Sequence, residues 1–317
     1  MYGSPMDKLI ENTGKFSNPD FTLDGSPRAH VRLKNLETLW FNTGTLCNLE
    51  CENCYIESSP KNDALSYIRL DEVTPFFTEI KEKNIAVSEI GLTGGEPFMN
   101  PDIIKILETA LDFGFRILVL TNAMRPMMRH QDALIDLKNR YSDRLSIRVS
   151  MDHYTREIHE KERGNKSWEP MIKGLKWLSD NGFDIHVAGR TFTHENEEEL
   201  RAGYANLFAE LSIKVDAIDP HKLILFPEMD LQKDVVEITT ACWGILNVNP
   251  ENMMCATSRM VVKHKGADRP AIMACTLLAY DQQFNMGDTL SSARQDVSLN
   301  HPFCSTFCVL GGASCSN

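Results

Sequence analysis

The sequence contains no apolar run near the roughly 20 residues needed to cross a bilayer, so nothing in it predicts a membrane span. Its first residues, Met-Tyr-Gly-Ser-Pro-Met-Asp-Lys, lack the charged-then-apolar pattern of an export signal, and the expected location is cytoplasmic. There is no basic block either: 33 lysines and arginines face 44 acids, for a net charge of −11. That excludes a large nucleic-acid footprint, because phosphate contacts need clustered cations. A local basic pocket for a small anion is still compatible with it. No internal repeat or low-complexity segment is visible, which excludes a solenoid. Cysteine is missing from the whole middle of the chain, between Cys54 and Cys242.

What cysteine there is falls into two groups. Cys47, Cys51 and Cys54 lie in Cys-Asn-Leu-Glu-Cys-Glu-Asn-Cys-Tyr, and six more lie between Cys242 and Cys315. In a reducing compartment such thiols are not expected to pair as disulfides. Core cysteines scattered at random would not segregate this way, so the grouping reads as two metal-binding regions. Three thiolates on one short loop can hold three irons of a four-iron cluster and leave the fourth without a protein ligand. An open metal position suits a catalytic site, by the logic that separates catalytic from structural zinc. About forty residues on, Gly94-Gly95-Glu96-Pro97 follows an apolar run. Its glycines allow close backbone approach to a ligand, and its acid suits a cationic amine.

Between residues 36 and 227 short apolar runs alternate with helical patterns. Strands are predicted at Leu36 to Thr43, Val87 to Leu92, Phe115 to Leu120, Leu145 to Ser150, Phe183 to Ala188 and Lys222 to Phe226. Helices are predicted at Asp71 to Lys83, from Ile103 after Pro101-Asp102, at Trp168 to Asn181 and at Asn196 to Leu211. This alternation implies βα units and a parallel sheet. The candidate residues then fall after strand ends, where barrel chemistry is found: Cys47, Glu96, Asn122, Ser150 with Asp152, and Arg190.

The cysteine triad and the Gly-Gly-Glu-Pro run together resemble the radical S-adenosylmethionine (SAM) superfamily. The resemblance implies a partial (β/α)6 TIM-like barrel over residues 36–230, after an irregular N-terminal extension of residues 1–35. It implies a 4Fe-4S cluster on Cys47, Cys51 and Cys54 whose open iron is chelated by SAM. Gly94, Gly95, Glu96 and Pro97 would hold the methionyl amine. Ser150 and Asp152, in Ser-Met-Asp-His, match a common Ser-x-Asp near the methionyl or ribose end. His159 and then Arg163 fit the shape that follows, with Arg163 suited to the SAM carboxylate. Asn122 and Arg190 complete the expected set, and His153 and Tyr154 face the same end of the sheet. The family usually carries an aromatic residue before the third cysteine, but Asn53 stands there and Tyr55 follows instead.

Residues 231–317 resemble the SPASM and Twitch auxiliary-cluster domains, a small cysteine-rich α+β unit. Met260-Val261-Val262, a turn at Lys265 to Asp268, and Ala271 to Ala274 read as a hairpin between Cys255 and Cys275. The resemblance implies one auxiliary 4Fe-4S cluster on Cys255, Cys275, Cys304 and Cys308, with Cys315 as a substitute for Cys304 or Cys308. Zinc on the same thiolates and free buried cysteines are the competing readings, and Cys242 is left without a role. The implied activity is reductive cleavage of SAM to a 5′-deoxyadenosyl radical. That radical would take a hydrogen atom from a small metabolite or short peptide, the barrel's early start leaning toward the metabolite. A flavodoxin or ferredoxin would supply electrons. The rival from another class is a non-catalytic iron–sulfur or zinc protein, which would have no need of Gly94-Gly95-Glu96-Pro97. A barrel that has lost SAM chemistry is a third reading, and the intact triad argues against it.

Overall fold

The computed structural model describes residues 14–191, 193–229 and 234–314. Its centre is one eight-stranded sheet. The strands are β1 (Thr38–Asn42), β2 (Glu89–Thr93), β3 (Arg116–Thr121), β4 (Leu145–Ser150), β5 (Asp184–Thr191), β6 (Leu223–Pro227), β7 (Ser258–Val262) and β8 (Ala271–Met273). Their spatial order is 6-5-4-3-2-1-7-8. Strands β1 to β6 run parallel and in sequence, as βα units require.

The helices of eight residues or more are α1 (Leu70–Glu82), α2 (Ile103–Asp112), α3 (Gln131–Tyr141), α4 (Arg156–Arg163), α5 (Trp168–Asp180) and α6 (Glu197–Leu211). Helix α1 buries Val73, Phe76, Phe77 and Ile80, the three-and-four spacing of one helical face. Phe41 of β1 meets Phe76 and Phe77 edge-on, at 5.9 and 5.6 Å between ring centres. Strand β1 is buried along its whole length, which is why its centre reads as a continuous apolar run, whereas β4 is buried on both faces although its sequence alternates apolar and polar residues. Burial of such side chains stabilises the sheet by about 1.5–3 kcal/mol each, before the entropy of ordering them is subtracted.

Two of these helices were not anticipated by the periodicity. Helix α3 buries only Leu134 and Leu137. Helix α4, Arg-Glu-Ile-His-Glu-Lys-Glu-Arg, buries His159 and Glu162, so its inner face carries polar groups and has no apolar stripe.

The expected C-terminal hairpin is present, with Met260 opposite Met273 and Val262 opposite Ala271. It does not form a sheet of its own. Strand β7 lies parallel to β1, Thr38 opposite Ser258 and Phe41 opposite Val261, and extends the barrel sheet past its first strand. The buried residues of both regions form one continuous core. Cys304 and Cys308 sit in a π-helical turn, Cys304–Val309. Cys315 lies outside the described residues, as do residues 1–13 of the N-terminal extension.

Candidate active site

The loop after β1 carries Cys47, Cys51 and Cys54, and the turn after β2 carries Gly94 and Gly95. The two are interlocked by backbone hydrogen bonds. Gly95 N–H donates to Gly44 O at 2.7 Å, and Glu96 N–H donates to Leu46 O at 3.2 Å. A Cβ on Gly95 would sit 2.2 Å from Leu46 O, and Gly94 has φ +142°, so neither position admits a side chain. The glycines therefore let the turn close onto the chain that leads into Cys47, as well as baring backbone toward the cavity.

That cavity is lined by all three cysteines, by Gly94, Gly95, Asn122, Ser150, Asp152, Arg163 and Arg190, and by Tyr55 and Phe226. So the structure brings most of the sequence-predicted SAM-site residues to one place, at the C-terminal ends of β1 to β5. Glu96 and Pro97 are next to it but do not line it. The Glu96 side chain is 1% exposed. It accepts hydrogen bonds from Phe98 N–H at 3.1 Å, Thr121 Oγ1 at 2.8 Å and Asn122 N–H at 2.9 Å. It ties the end of β2 to the end of β3. Burial pushes its carboxyl up to about 7, against the pull of those three donors.

Asp152 organises the opposite wall. Its Oδ2 lies 2.8 Å from Arg163 Nε, and Arg163 Nη2 donates to Oδ1 at 3.0 Å. Arg190 Nε lies 3.6 Å from Oδ1. Burial alone would raise the Asp152 carboxyl, but the two guanidinium groups hold it below the ordinary carboxylate range. Glu162 lines the same wall, so its two guanidinium groups face two carboxylates. Arg190 also donates to Asn53 O at 2.6 Å and lies 4.3 Å above the Tyr55 ring. Asn53 in turn donates to Glu162 Oε2 at 2.7 Å. The departure from an aromatic residue at this position thus supplies a hydrogen-bonded brace to α4.

The sulfurs have matching surroundings. Leu49 N–H points at Cys47 Sγ from 3.4 Å and Ser58 N–H at Cys54 Sγ from 3.3 Å. Burial pushes the Cys47 thiol up to about 12 and also raises Cys51, which Arg163 partly offsets. Such thiols ionise only if a metal takes the proton's place. No three of the described Cys, His, Asp and Glu side chains converge on a single-ion position. A four-iron cluster does not need that convergence, because each thiolate takes its own iron. Three thiolates on one loop, beside the bared Gly94–Gly95 backbone, are a donor set that fits such a cluster.

His159 is fully buried edge-on to Trp168, and burial lowers it to about 4. It lies behind Arg163 and does not line the cavity. His153 and Tyr154 turn away to Glu195, with His153 Nε2 2.9 Å from its Oε2.

The sequence reading missed part of the wall. Thr276 and Leu277, directly after Cys275, line the same cavity as the triad. Tyr280 OH donates to Ile56 O at 2.7 Å, and Phe307 meets Tyr55 edge-on at 5.7 Å. The only signal was adjacency: each lies next to, or within five residues of, a cysteine. In the second cysteine group Cys255, Cys275, Cys304 and Cys308 are all buried. Cys304 is pushed up to about 12 by burial and by its neighbour Cys255. Cys304 and Cys308 are four apart on one helical turn and so share a face, which accommodates a three-residue gap. Cys242 is only partly buried and accepts from Thr239 N–H at 3.4 Å.

Residues 41–203, just over half of the chain, match the family model for the Radical SAM superfamily. The chain belongs to the radical SAM superfamily. Among curated relatives of this radical SAM protein, the subtilosin biosynthesis protein AlbA of Bacillus subtilis strain 168 is 32% identical over 147 residues. That stretch covers 46% of this chain and 31% of AlbA. Probable GTP 3′,8-cyclases of Saccharolobus islandicus, such as that of strain M.14.25, are 27% identical over 192 residues, 61% of this chain and 58% of theirs. The matched part thus spans less than two thirds of these relatives. Streptococcus suis SuiB, solved with S-adenosylmethionine, superposes with a TM-score of 0.58 at 12% identity, covering 80% of this chain and 63% of SuiB. The protein anSMEcpe with bound AdoMet gives 0.59 at 14%, covering 84% and 82%. Those two likenesses show that the barrel fold is shared.

Proposed function

We propose that this protein is an enzyme that cleaves S-adenosylmethionine reductively and uses the product to take a hydrogen atom from an organic substrate. The observation that carries the reading is the convergence of Cys47, Cys51, Cys54, Gly94, Gly95, Asp152, Arg163 and Arg190 on one cavity at the C-terminal strand ends. Held by Cys47, Cys51 and Cys54, a four-iron cluster would provide the one-electron reduction of the SAM sulfonium, and the hard chemistry would be the cofactor's.

The chain's own residues bind, orient and exclude. Cys47, Cys51 and Cys54 would hold three irons. The bared backbone at Gly94 and Gly95 offers carbonyl acceptors for the methionyl amine. Arg163, fixed by Asp152, presents a cation toward that same cavity and suits the methionyl carboxylate. Tyr55, Phe226 and Leu277 give the cavity an apolar side that keeps water from a radical. Arg163 and Arg190 stand close enough to Cys51 to favour its thiolate.

Cys255, Cys275, Cys304 and Cys308 would hold an auxiliary four-iron cluster, with Cys315 as the alternative to Cys304 or Cys308. This makes residues 231–317 the auxiliary-cluster unit and 36–230 the catalytic barrel. Thr276 and Leu277 support the assignment, because they join the auxiliary site to the wall of the SAM cavity. A peptidyl substrate is favoured over a free metabolite by the 32% identity to AlbA, a bacteriocin biosynthesis protein, and by the shared fold with SuiB, solved with its precursor peptide SuiA. A flavodoxin or ferredoxin would be the reductant.

The test is anaerobic reconstitution with iron and sulfide, then SAM and dithionite, with 5′-deoxyadenosine measured by chromatography. SAM-dependent 5′-deoxyadenosine supports the reading. Its absence from a protein that carries its full complement of iron would sink it.

A further inference from the structure

Arg259 is the side chain that neither the SAM site nor the sheet accounts for. It is fully buried on β7, four residues after Cys255. It makes four hydrogen bonds. Nε donates to Ala293 O at 2.9 Å, Nη1 to Cys255 O at 2.5 Å and Ser258 O at 2.8 Å, and Nη2 to Gln295 O at 3.1 Å. All four acceptors are backbone carbonyls, which carry dipoles and no net charge. Among the described residues no carboxylate lies within ion-pair distance of it. Arg28, the other large buried cation in this half of the molecule, has Glu237 at 2.5 Å.

A buried guanidinium without a counter-charge is costly, and such groups are ordinarily paired. The acidic groups near enough to influence Arg259 are Cys255, Cys275 and the exposed Asp296. Arg259 follows Cys255 by four residues, and its Nη1 donates to the Cys255 carbonyl. Met260 pairs with Met273 in the antiparallel hairpin, so Cys275 comes two residues past the last position paired with β7, at the end of the hairpin where β7 begins. Two candidate cluster ligands thus lie at the end of the hairpin that holds the cation, and a third, Cys304, lies within electrostatic reach of Cys255. As thiols these groups are neutral. As iron ligands they belong to an anionic cluster.

We propose that Arg259 is the buried counter-ion of the auxiliary cluster: its charge holds the cluster's anionic ligand set in the core and raises the cluster's reduction potential. The proposal rests on the reading of Cys255, Cys275, Cys304 and Cys308 as cluster ligands. Reduction adds one negative charge to the cluster, so a fixed cation beside it favours the reduced form. The backbone hydrogen bonds give Arg259 a structural part too, and the two parts separate by charge.

The experiment uses the full chain with Cys47, Cys51 and Cys54 replaced by Ala, so that only the second cluster remains. Iron and sulfide per chain are measured, and the cluster is titrated electrochemically with its reduced signal read by electron paramagnetic resonance. Arg259→Met and Arg259→Lys are compared with Arg259. The expected result is that Arg259→Met shifts the reduction equilibrium at least tenfold toward the oxidised form, 59 mV for a one-electron couple. If it loses iron instead, Arg259→Lys keeps it. Arg259→Lys should lie within about threefold of the parent, because it retains the charge without the guanidinium fork. Full iron with an unmoved potential in Arg259→Met would overturn the proposal. So would equal loss of iron from both variants, which would make the guanidinium a geometric brace only. An iron-free parent would remove the auxiliary cluster itself, and this proposal with it.

Discussion

The two cysteine groups are built on opposite plans. The triad sits on a loop outside the barrel's strand ends, with Cys51 and Cys54 partly exposed to a cavity. Charged side chains ring it, and Asp152 holds them by ion pairs. The second group lies inside the core, with Cys255, Cys275, Cys304 and Cys308 all buried between a hairpin and a helical turn. One arrangement leaves room for a ligand that exchanges, and the other encloses. That is the difference between a metal position with room for an exchanging ligand and one enclosed by protein. It teaches that cysteine number alone says little, and that what surrounds the sulfur separates the roles.

The largest expected effect breaks the comparison outright. Replacing Cys47, Cys51 and Cys54 with Ala should abolish 5′-deoxyadenosine formation and leave about four irons on the second group. Replacing Cys255 and Cys275 should also leave about four, in a protein that still cleaves SAM but no longer completes turnover. Iron analysis beside product chromatography checks both halves. If each variant lost all iron, the two groups would be one site and the contrast would vanish.

The next effect tests the charged rim. Asp152→Asn leaves Arg163 and Arg190 without their shared carboxylate in a buried wall. It should destabilise the apoprotein by about 3–5 kcal/mol, the scale for breaking a buried pair. SAM affinity should fall along with stability, which calorimetry and thermal melting can separate. A variant with wild-type stability would show that the pair is solvated after all.

How legible was this contrast beforehand? The triad, the Gly-Gly turn and the strand order could be read because each depends on local pattern: a cysteine spacing, a pair of glycines, apolar runs. Helix α4 could not. Its buried face is His159 and Glu162, so hydrophobic periodicity has nothing to detect. The braces Asn53 to Glu162 and Arg190 to Asn53 are long-range and leave no mark in spacing. The same holds for Thr276 and Leu277, whose place in the cavity depends on β7 pairing with β1 rather than on any motif.

The smallest expected effect sharpens the role of Glu96. Its carboxyl is raised to about 7 by burial, against 4.5 when free. The folded state therefore binds the extra proton between these values, and stability is fully present below 4.5 and lost as pH rises through about 7. The loss is about 3 kcal/mol at most, from 1.36 kcal/mol per pKa unit. Glu96→Gln should flatten that slope in urea unfolding of the apoprotein across pH 4.5 to 8, while iron loading stays normal. An unchanged slope would assign the pH dependence elsewhere.

Strand β1 is the first of the barrel in sequence, yet it lies inside the sheet because β7 covers its other side. This has a consequence for synthesis. Until the ribosome has delivered Ser258–Val262, the nascent barrel presents β1 as a bare edge with Leu39, Trp40 and Phe41 at its centre, next to the loop that carries the triad. Closing that edge joins segments more than two hundred residues apart, and pairings of such long range form late. Unpaired apolar edges invite association with other chains in the meantime. Premature termination anywhere before Ser258 should thus yield aggregates rather than a smaller working barrel, and a cell making this protein would need to shield that edge until β7 has been made.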